Sequence, residues 1–386
     1  MKLEVILISS VLVLLPAGLL APADDHKGKV HTQRVERTVS ADSSVTVSLC
    51  VKSGSITVRG WDKNQVLARS SDVSQIELKR ADVPNQSGPA TRLTVLMLDR
   101  AEGHRETNDC QAFGDVELMV PKGASVHVQT GDGAIDISAV ASVYAKSQTG
   151  DIEVNGASQS VEALSFSSDV SVKNSSGRMS LRSVGGSVTA RGLHPADSGD
   201  CFEASTISGE IELEGVSHSQ ISARTVNGEV HFTGPLAHGG HYTFNTTTGD
   251  VTLTLPSDAS FRLNARVSQD AEITSDFPLT LKTETSIATP ARRSGSIEYS
   301  AREVAPAKPA RPATTPARPT ITPARPATTD VPQPVVVNVE QSVKIKAKPI
   351  EIKVIYMSRR VTAVHGTGDA SINVVSFSGS LHLEQN

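Results

Sequence analysis

Four acidic residues of this chain each follow the glycine of a recurring Gly-Asp/Glu-apolar-polar-apolar pattern, and their type and spacing raise the question of cation binding. They are Asp151, Glu210, Glu229 and Asp250. If the surrounding segments stack in register, the carboxylates form a column about 5 Å apart, which is unfavourable unless water or a cation bridges them. Calcium favours such oxygen ligands, but the paired glycines of the calcium-binding nonapeptide repeat are absent. We therefore predict no metal site, and we interpret these residues as a polar binding face.

Other residue groupings that could do chemistry are incomplete. His238 and His241 lie close in sequence, but a zinc site needs further ligands, and no cysteine is near them. No Gly-x-Ser-x-Gly elbow, Walker phosphate loop or dinucleotide fingerprint occurs. Basic residues are not interleaved with stacking aromatics, which argues against nucleic acid binding. The sequence thus predicts no catalytic residues, no cofactor and no nucleic-acid partner.

A carbohydrate-active enzyme built on a β-helix is the main enzymatic alternative. Such a site needs carboxylates, with or without basic groups, clustered on one sheet face. Glu210, Glu212 and Glu214 alternate along one segment and could project together. Neighbouring segments offer Ser187, Thr189 and His231 at the matching positions, so we expect no cluster that spans several segments.

The elements that position these residues follow a twelve-residue template that recurs nine times. Apolar residues stand at offsets 0, 2, 9 and 11, as in Ile221, Ala223, Val230 and Phe232, and a corner glycine stands at offset 7. Apolar residues two apart, separated by polar ones, are typical of a strand buried on one face. The copies begin at Val47, Val126, Val143, Val161, Met179, Phe202, Ile221, Tyr242 and Ile372.

Glycine allows a sharp turn between the two strands of each copy. Ser168 replaces the glycine in one copy. The corners recur roughly every 19 residues, and a unit of that size must stack on its neighbours to bury its apolar face. We predict an all-β fold, a β-solenoid of such coils, over the alternative of a hairpin sandwich. The predicted structural corners are Gly54, Gly133, Gly150, Gly186, Gly209, Gly228, Gly249 and Gly379.

The two ends of the chain differ from the array. Residues 1–23 read as a cleaved signal peptide, since an apolar run is followed by Ala21-Pro22-Ala23. That run is shorter than the ~20 residues of a membrane span, and no second apolar span follows. We therefore place the mature chain outside the cytoplasm: secreted, periplasmic or at the cell surface. Outward cysteines in an oxidising compartment are usually paired, and we predict a Cys50–Cys110 disulfide.

The domain boundaries follow from composition. We predict a solenoid domain over 29–285, with a cap at 29–121 and regular coils at 125–276, and a C-terminal β segment at 335–386 that ends in a last repeat. Residues 301–334 contain three consecutive seven-residue Pro-Ala-Arg-Pro units, which are typical of a disordered linker. Residues 301–362 hold 11 Lys and Arg against 4 Asp and Glu, a net charge of +7. Because the whole chain has a net charge of −4, the remaining residues carry −4 − 7 = −11.

Several phrases resemble a known family. They are Ser-Gly-Ser-Ile-Thr-Val-Arg-Gly-Trp-Asp (53–62), Thr-Gly-Asp-Ile-Glu-Val (149–154), Ser-Gly-Glu-Ile-Glu-Leu (208–213) and Ser-Phe-Ser-Gly-Ser-Leu (376–381). In order and number they are similar to the bacterial putative-adhesin domain, over about 40–285 and again 364–386. The resemblance implies a β-solenoid-like fold outside the cytoplasm, with adhesion as the expected role and no catalytic motif to transfer.

The sequence therefore predicts a non-catalytic adhesion or structural protein of the cell envelope. Its expected partner is an envelope polysaccharide or a surface protein. The alternatives are the carbohydrate-active enzyme and a regulatory partner in envelope stress. Whether the last repeat stacks directly on the array is left open by the sequence, because the proline-rich segment separates them.

Overall fold

The computed structural model of this chain describes residues 35–71, 75–82, 88–98, 110, 112–279, 282–287 and 357–386. The predicted signal peptide at 1–23 and the predicted linker at 301–334 lie outside these residues. Every regular element within the described ranges is a β-strand. No helix among them is long and apolar enough to cross a membrane.

The strands divide into three groups along the chain. The N-terminal strands are β1 (Val35–Ser53), β2 (Ile56–Trp61), β3 (Gln65–Ser70), β4 (Gln75–Arg80), β5 (Ala90–Leu98) and β6 (Val116–Pro121). The array strands are β7 (Ser125–Asp132), β8 (Ile135–Ser138), β9 (Ser142–Thr149), β10 (Ile152–Asn155), β11 (Ser160–Ser165), β12 (Val170–Lys173), β13 (Arg178–Arg182), β14 (Val188–Arg191), β15 (Phe202–Ser205), β16 (Ile211–Glu214), β17 (Gln220–Arg224), β18 (Val230–Thr233), β19 (His241–Thr248) and β20 (Val251–Leu255). The C-terminal strands are β21 (Phe261–Ser268), β22 (Ile273–Ser275), β23 (Lys282–Ile287), β24 (Met357–His365), β25 (Ala370–Ser378) and β26 (Leu381–Gln385).

The array strands alternate between two parallel sheets. Odd-numbered strands β7 to β19 pair with one another in sheet 1, and even-numbered strands β8 to β20 pair in sheet 2. Each coil therefore contributes one strand to each sheet and turns at a corner between them. This confirms the all-β prediction, and the alternation is that of a β-solenoid with strands about 4.8 Å apart.

The first end of the stack does not follow chain order. In sheet 1, β1 lies between β5 and β7, and in sheet 2, β2 lies between β6 and β8, all parallel. The coil β5/β6 is thus the outermost one, and the coil β1/β2 lies between it and the first array coil β7/β8. Antiparallel strands cover the outer coil, because β4 pairs with β5, and β3 pairs with both β6 and the first part of β1.

The other end of the stack is interleaved in the same way. Strand β25 lies between β19 and β21 in sheet 1, and β26 lies between β20 and β22 in sheet 2. These C-terminal strands belong to the same compact unit as the array. The last repeat of the chain therefore stacks directly on the array, inside the end coil β21/β22.

The core is a single apolar cluster that lies between the two sheets. The predicted inward positions are buried in every coil; Val126, Val143 and Val161, for example, are at most 3% exposed. Larger side chains thicken the core toward the C-terminal end. Phe232 packs against Tyr242 and Phe244 at ring-centroid distances of 5.9 and 5.5 Å. The periodic pattern thus predicts correctly which side of each strand faces inward.

Candidate functional site: corners and outer faces of the stack

The predicted corner glycines lie on top of one another at one edge of the stack. A Cβ added at any of them would lie 1.9–2.4 Å from the carbonyl oxygen of the corner residue in the coil stacked next to it on the N-terminal side of the stack. At Gly54, Gly133, Gly150 and Gly249, φ also lies between 135° and 138°, a range that residues with a Cβ rarely adopt. The other four corner glycines lie outside that range, so close stacking alone requires glycine there.

A column of buried hydroxyl groups supports these corners. The Ser or Thr three residues before a corner donates a hydrogen bond to the corner carbonyl of the preceding coil, for example Thr206 Oγ1 to Gly186 O at 2.8 Å and Thr225 Oγ1 to Gly209 O at 3.0 Å. The donors are Thr130, Ser147, Ser183, Thr206, Thr225, Thr246 and Ser376. Sequence reasoning missed this column, although the signal is a hydroxyl residue three positions before the corner.

Ser168 fits at a corner because its side chain replaces a backbone contact. The Gly150 amide donates to Ser168 Oγ at 3.0 Å. In the preceding coil the equivalent amide of Gly133 donates to the Thr149 carbonyl at 2.8 Å. The serine therefore keeps the amide bonded while the backbone of that corner differs.

The four residues of the predicted polar binding face follow the corners and lie along the same edge. Two have a structural role: Asp151 Oδ1 accepts from the Asp169 amide at 3.2 Å, and Asp250 Oδ1 accepts from the Ser380 amide at 2.6 Å. Each carboxylate thus bonds the backbone of the next coil, which relieves part of the like-charge repulsion.

The other two residues of this face flank a histidine. His231 Nε2 lies 2.9 Å from Glu229 Oε2 and 3.4 Å from Glu210 Oε1. The three side chains remain between 35% and 55% exposed. His231 therefore contacts acidic side chains of two coils, its own and the preceding one.

A charged cluster spans neighbouring coils on the outer side of sheet 2, contrary to the sequence-based expectation. Arg191 lies 2.9 Å from Glu212 and 3.3 Å from Glu214, in the next coil. The group of His231, Glu210 and Glu229 lies beside it. The expectation was wrong because it compared only Ser187, Thr189 and His231, whereas Arg191 lies one position beyond the template and His231 itself reaches Glu210 of the preceding coil.

The residues considered for metal binding do not converge. Within the part of the chain that the structure describes, no group of three or more His, Cys, Asp or Glu side chains could hold a metal ion. His238 bonds through Nδ1 to the carboxylate of Asp369, in the loop before β25. The contact therefore joins the array to the C-terminal repeat.

A row of apolar side chains, exposed except for the half-buried Val184, runs along the corner edge. Phe166, Val184, Ile207 and Val226 occupy the same position in four successive coils, whose corners are joined by backbone hydrogen bonds of 2.8–3.0 Å. Phe166, Ile207 and Val226 are 62%, 48% and 42% exposed. Phe377 holds this position in the C-terminal repeat and is 55% exposed. Contiguous exposed apolar surface is typical of interaction sites, and sequence reasoning did not single out this position.

Cys50 and Cys110 form a disulfide, with their Cα atoms 4.8 Å apart. The bond ties β1 to the segment that precedes β6. A cleft of about 610 Å³ lies beside it, lined in part by Lys52, Lys146 and Asp132. Cys201 is a free thiol and is partly exposed. A disulfide of this kind is typical of proteins outside the reducing cytoplasm.

The model of the Toastrack DUF4097 family, a domain of unknown function, matches residues 43–303. No curated protein matches the chain. Among solved structures, the crystal structure of a putative cell adhesion protein from Clostridium sporogenes ATCC 15579 aligns with 92% of this chain and 100% of its own, at 8% identity and a TM-score of 0.17. At that TM-score the alignment carries no argument about this chain.

The family match covers the array and the N-terminal strands from residue 43 onward, and it ends before the C-terminal strands β24, β25 and β26. It confirms the resemblance drawn from the phrases at 53–62, 149–154 and 208–213, whereas the phrase at 376–381 lies outside the match. The chain therefore belongs to the Toastrack DUF4097 family.

Proposed function

We propose that this protein is a non-catalytic binding scaffold of the cell envelope, secreted or exposed there, that holds an envelope polysaccharide or a surface protein on its outer face. The observation that carries the proposal is the charged cluster on sheet 2, made by Arg191, Glu212, Glu214 and His231 on adjacent coils. Charged and hydrogen-bonding groups repeated about every 4.8 Å suit an extended ligand.

Two further observations support parts of this proposal. The Cys50–Cys110 disulfide supports a location outside the cytoplasm. The exposed side chains of Phe166, Ile207 and Val226 offer a second contact surface that a protein ligand would use. The two ligand classes predict different sensitivities, since a polysaccharide would depend on the charged cluster alone and a protein on both the cluster and the apolar row.

The test compares matched ion pairs on opposite faces of the same two coils. Arg191→Ala with Glu212→Gln removes the pair on sheet 2, and Arg182→Ala with Glu203→Gln removes the 3.6 Å pair on sheet 1. Binding of the purified chain to intact cells and to immobilised envelope polysaccharides is measured for both. We expect the sheet 2 variant to lose binding and the sheet 1 variant to keep it. Equal binding by both variants and the unchanged chain would contradict the proposed face.

A carbohydrate-active enzyme is the second candidate, and the same cluster favours it. Carboxylates beside an arginine and a histidine are groups that glycosidases and polysaccharide lyases use to break glycosidic bonds, by hydrolysis or by elimination. Turnover of a polysaccharide by the purified chain, lost on Glu212→Gln, would establish an enzyme in place of the scaffold. Absence of turnover across a panel that includes a bound polysaccharide would leave binding as the function.

A further inference from the structure

The C-terminal repeat, residues 357–386, places its strands β25 and β26 in a slot between two coils that precede it in the chain. Ile372 pairs with Tyr242 on one side and with Leu263 on the other. In sheet 2, Leu381 pairs with Val251 and with Ile273. Without the repeat, one edge of each of β19, β20, β21 and β22 would have no partner.

The slot recognises the same template as any internal coil. The inward residues Ala370, Ile372, Val374, Leu381 and Leu383 are at most 1% exposed. At the corner, Ser376 Oγ donates to the Gly249 carbonyl at 3.3 Å, and the Ser380 amide donates to Asp250 at 2.6 Å. A Cβ on Gly379 would lie 2.0 Å from the Gly249 carbonyl oxygen. The slot therefore selects for apolar spacing, a hydroxyl and a glycine.

Nothing in this recognition depends on which copy of the chain supplies the repeat. The repeat is joined to the preceding strand β23 only through residues 288–356, and no cysteine occurs after Cys201. A longer connection lowers the effective concentration at which the chain's own repeat meets the slot, so the repeat of a second copy competes best when the chain is concentrated.

We propose that the slot between β19/β20 and β21/β22 is a strand-pair acceptor, and that the C-terminal repeat of a second copy fills it to join chains by exchange. Identical elements exchanged between copies form an assembly with no new contacts, because each contact within one chain is remade between two. Exchange is slow, since β24 pairs with β21 as well and both pairings must open. The proposal does not depend on the ligand of the scaffold.

The test mixes two preparations of the chain from residue 24 onward, each with a protease site placed within 301–334. One carries an N-terminal affinity tag, and the other is untagged and labelled with ¹⁵N. After incubation at high concentration, the linker is cleaved and the tagged bodies are captured. Mass spectrometry then measures the isotope of residues 357–386 that remain bound. We expect the ¹⁵N repeat to increase with time and concentration toward an equal mixture.

A locked variant is the matched control. Asn245 and Val375 are register partners in β19 and β25, at the template position that Cys50 holds in β1. Asn245→Cys with Val375→Cys, in a Cys201→Ser background and oxidised before mixing, should keep captured ¹⁵N repeat at the background level. The proposal is overturned if the unlocked chain captures no ¹⁵N repeat even when free ¹⁵N-labelled peptide 357–386 is added in excess. Equal capture by the locked and unlocked chains would also overturn it, because capture would then not pass through the slot.

Discussion

The two ends of this stack each hold an interleaved coil in place, but they do so with different chemistry. At each end the outermost coil is separated from the array by a coil from elsewhere in the chain: β1/β2 at one end and β25/β26 at the other. At the first end, the Cys50–Cys110 disulfide ties the interleaved coil to the segment next to it. At the second end, the interleaved coil is held by ladders, packing and side-chain contacts alone.

The difference separates two roles of an interleaved coil. Both coils bury their apolar residues fully and pair on both edges, so their noncovalent contacts are of the same kind. A disulfide stabilises chiefly by restricting the unfolded chain, while ladder pairing can be remade by any segment with the same pattern. The interleaved coil at the first end is therefore held covalently in place, whereas the one at the second end can be replaced by an identical segment.

Removing the disulfide should have the largest effect and make the first end resemble the second. Cys50→Ser with Cys110→Ser opens a loop of 60 residues, which in the chain-entropy model lowers the free energy of unfolding by about 4 kcal/mol. Urea unfolding of the purified chain measures this loss. Cys201→Ser is the control and should leave the midpoint unchanged, because that thiol is free. A double variant as stable as this control would show that the two ends do not differ in this way.

Substituting a corner glycine at each end should have the next largest effect. A Cβ at Gly54 would lie 2.2 Å from the Gly114 carbonyl oxygen, and one at Gly379 would lie 2.0 Å from that of Gly249. Either alanine should cost about 2–3 kcal/mol through overpacking against rigid backbone. Gly54→Ala should cost more, because φ at Gly54 is also 138°.

Hydrogen exchange of the strands distinguishes the two glycine variants. Gly379→Ala should speed exchange in β25 and β26 and leave the first end protected, since only the C-terminal repeat is free to leave. Gly199→Ala is the control, because nothing lies within 4 Å of a Cβ at that position. Uniform loss of protection in Gly379→Ala would contradict an independent C-terminal repeat.

Removing a corner hydroxyl tests the same comparison with a smaller effect. Thr130 Oγ1 donates to Gly54 O at 3.2 Å at the first end, and Ser376 Oγ donates to Gly249 O at 3.3 Å at the second. Thr130→Val and Ser376→Ala should each cost about 1 kcal/mol in thermal or urea unfolding. Only Ser376→Ala should raise the rate of repeat exchange. If Thr130→Val accelerates exchange equally, the hydroxyl column acts on the whole stack rather than on each end.

The coils could be predicted from the sequence because each one carries its own pattern. Inward pairs such as Val143 and Ala145 and corners such as Gly150 follow directly from apolar alternation and glycine spacing. The order of coils at the ends could not be predicted in this way. Every copy presents the same apolar positions and corner, so the copy at Ile372 fits beside Tyr242 as well as beside Leu263, and the pattern does not say which neighbours it takes.

The site was predicted less well, since its residues lie at positions that the template leaves free. The four acidic residues were recognised, but Asp151 and Asp250 bond the backbone of the next coil. Arg191 and the exposed Phe166 were missed because neither position is constrained by burial, and only the register of neighbouring coils brings their partners close.

The smallest effect is a pH dependence that should arise in the middle of the stack and leave both ends alike. His218 is fully buried, its Nε2 donates to the Gly177 carbonyl at 2.7 Å, and its Nδ1 has no partner. Burial lowers the pKa of His218 below 6.5; the Gly177 carbonyl and the Asp200 carboxylate raise that pKa, and His194 lowers it further. Because the unfolded chain takes up a proton near pH 6.5 and the folded chain only below it, the free energy of unfolding should fall as pH falls below 6.5.

Urea unfolding at pH 7.5 and 5.5 should show this loss, and His218→Leu should reduce it, whereas the exposed His127→Gln should not. An unchanged pH dependence in His218→Leu would assign the effect to other groups. The pH dependence could then no longer be attributed to the middle coils, and groups at either end could cause it.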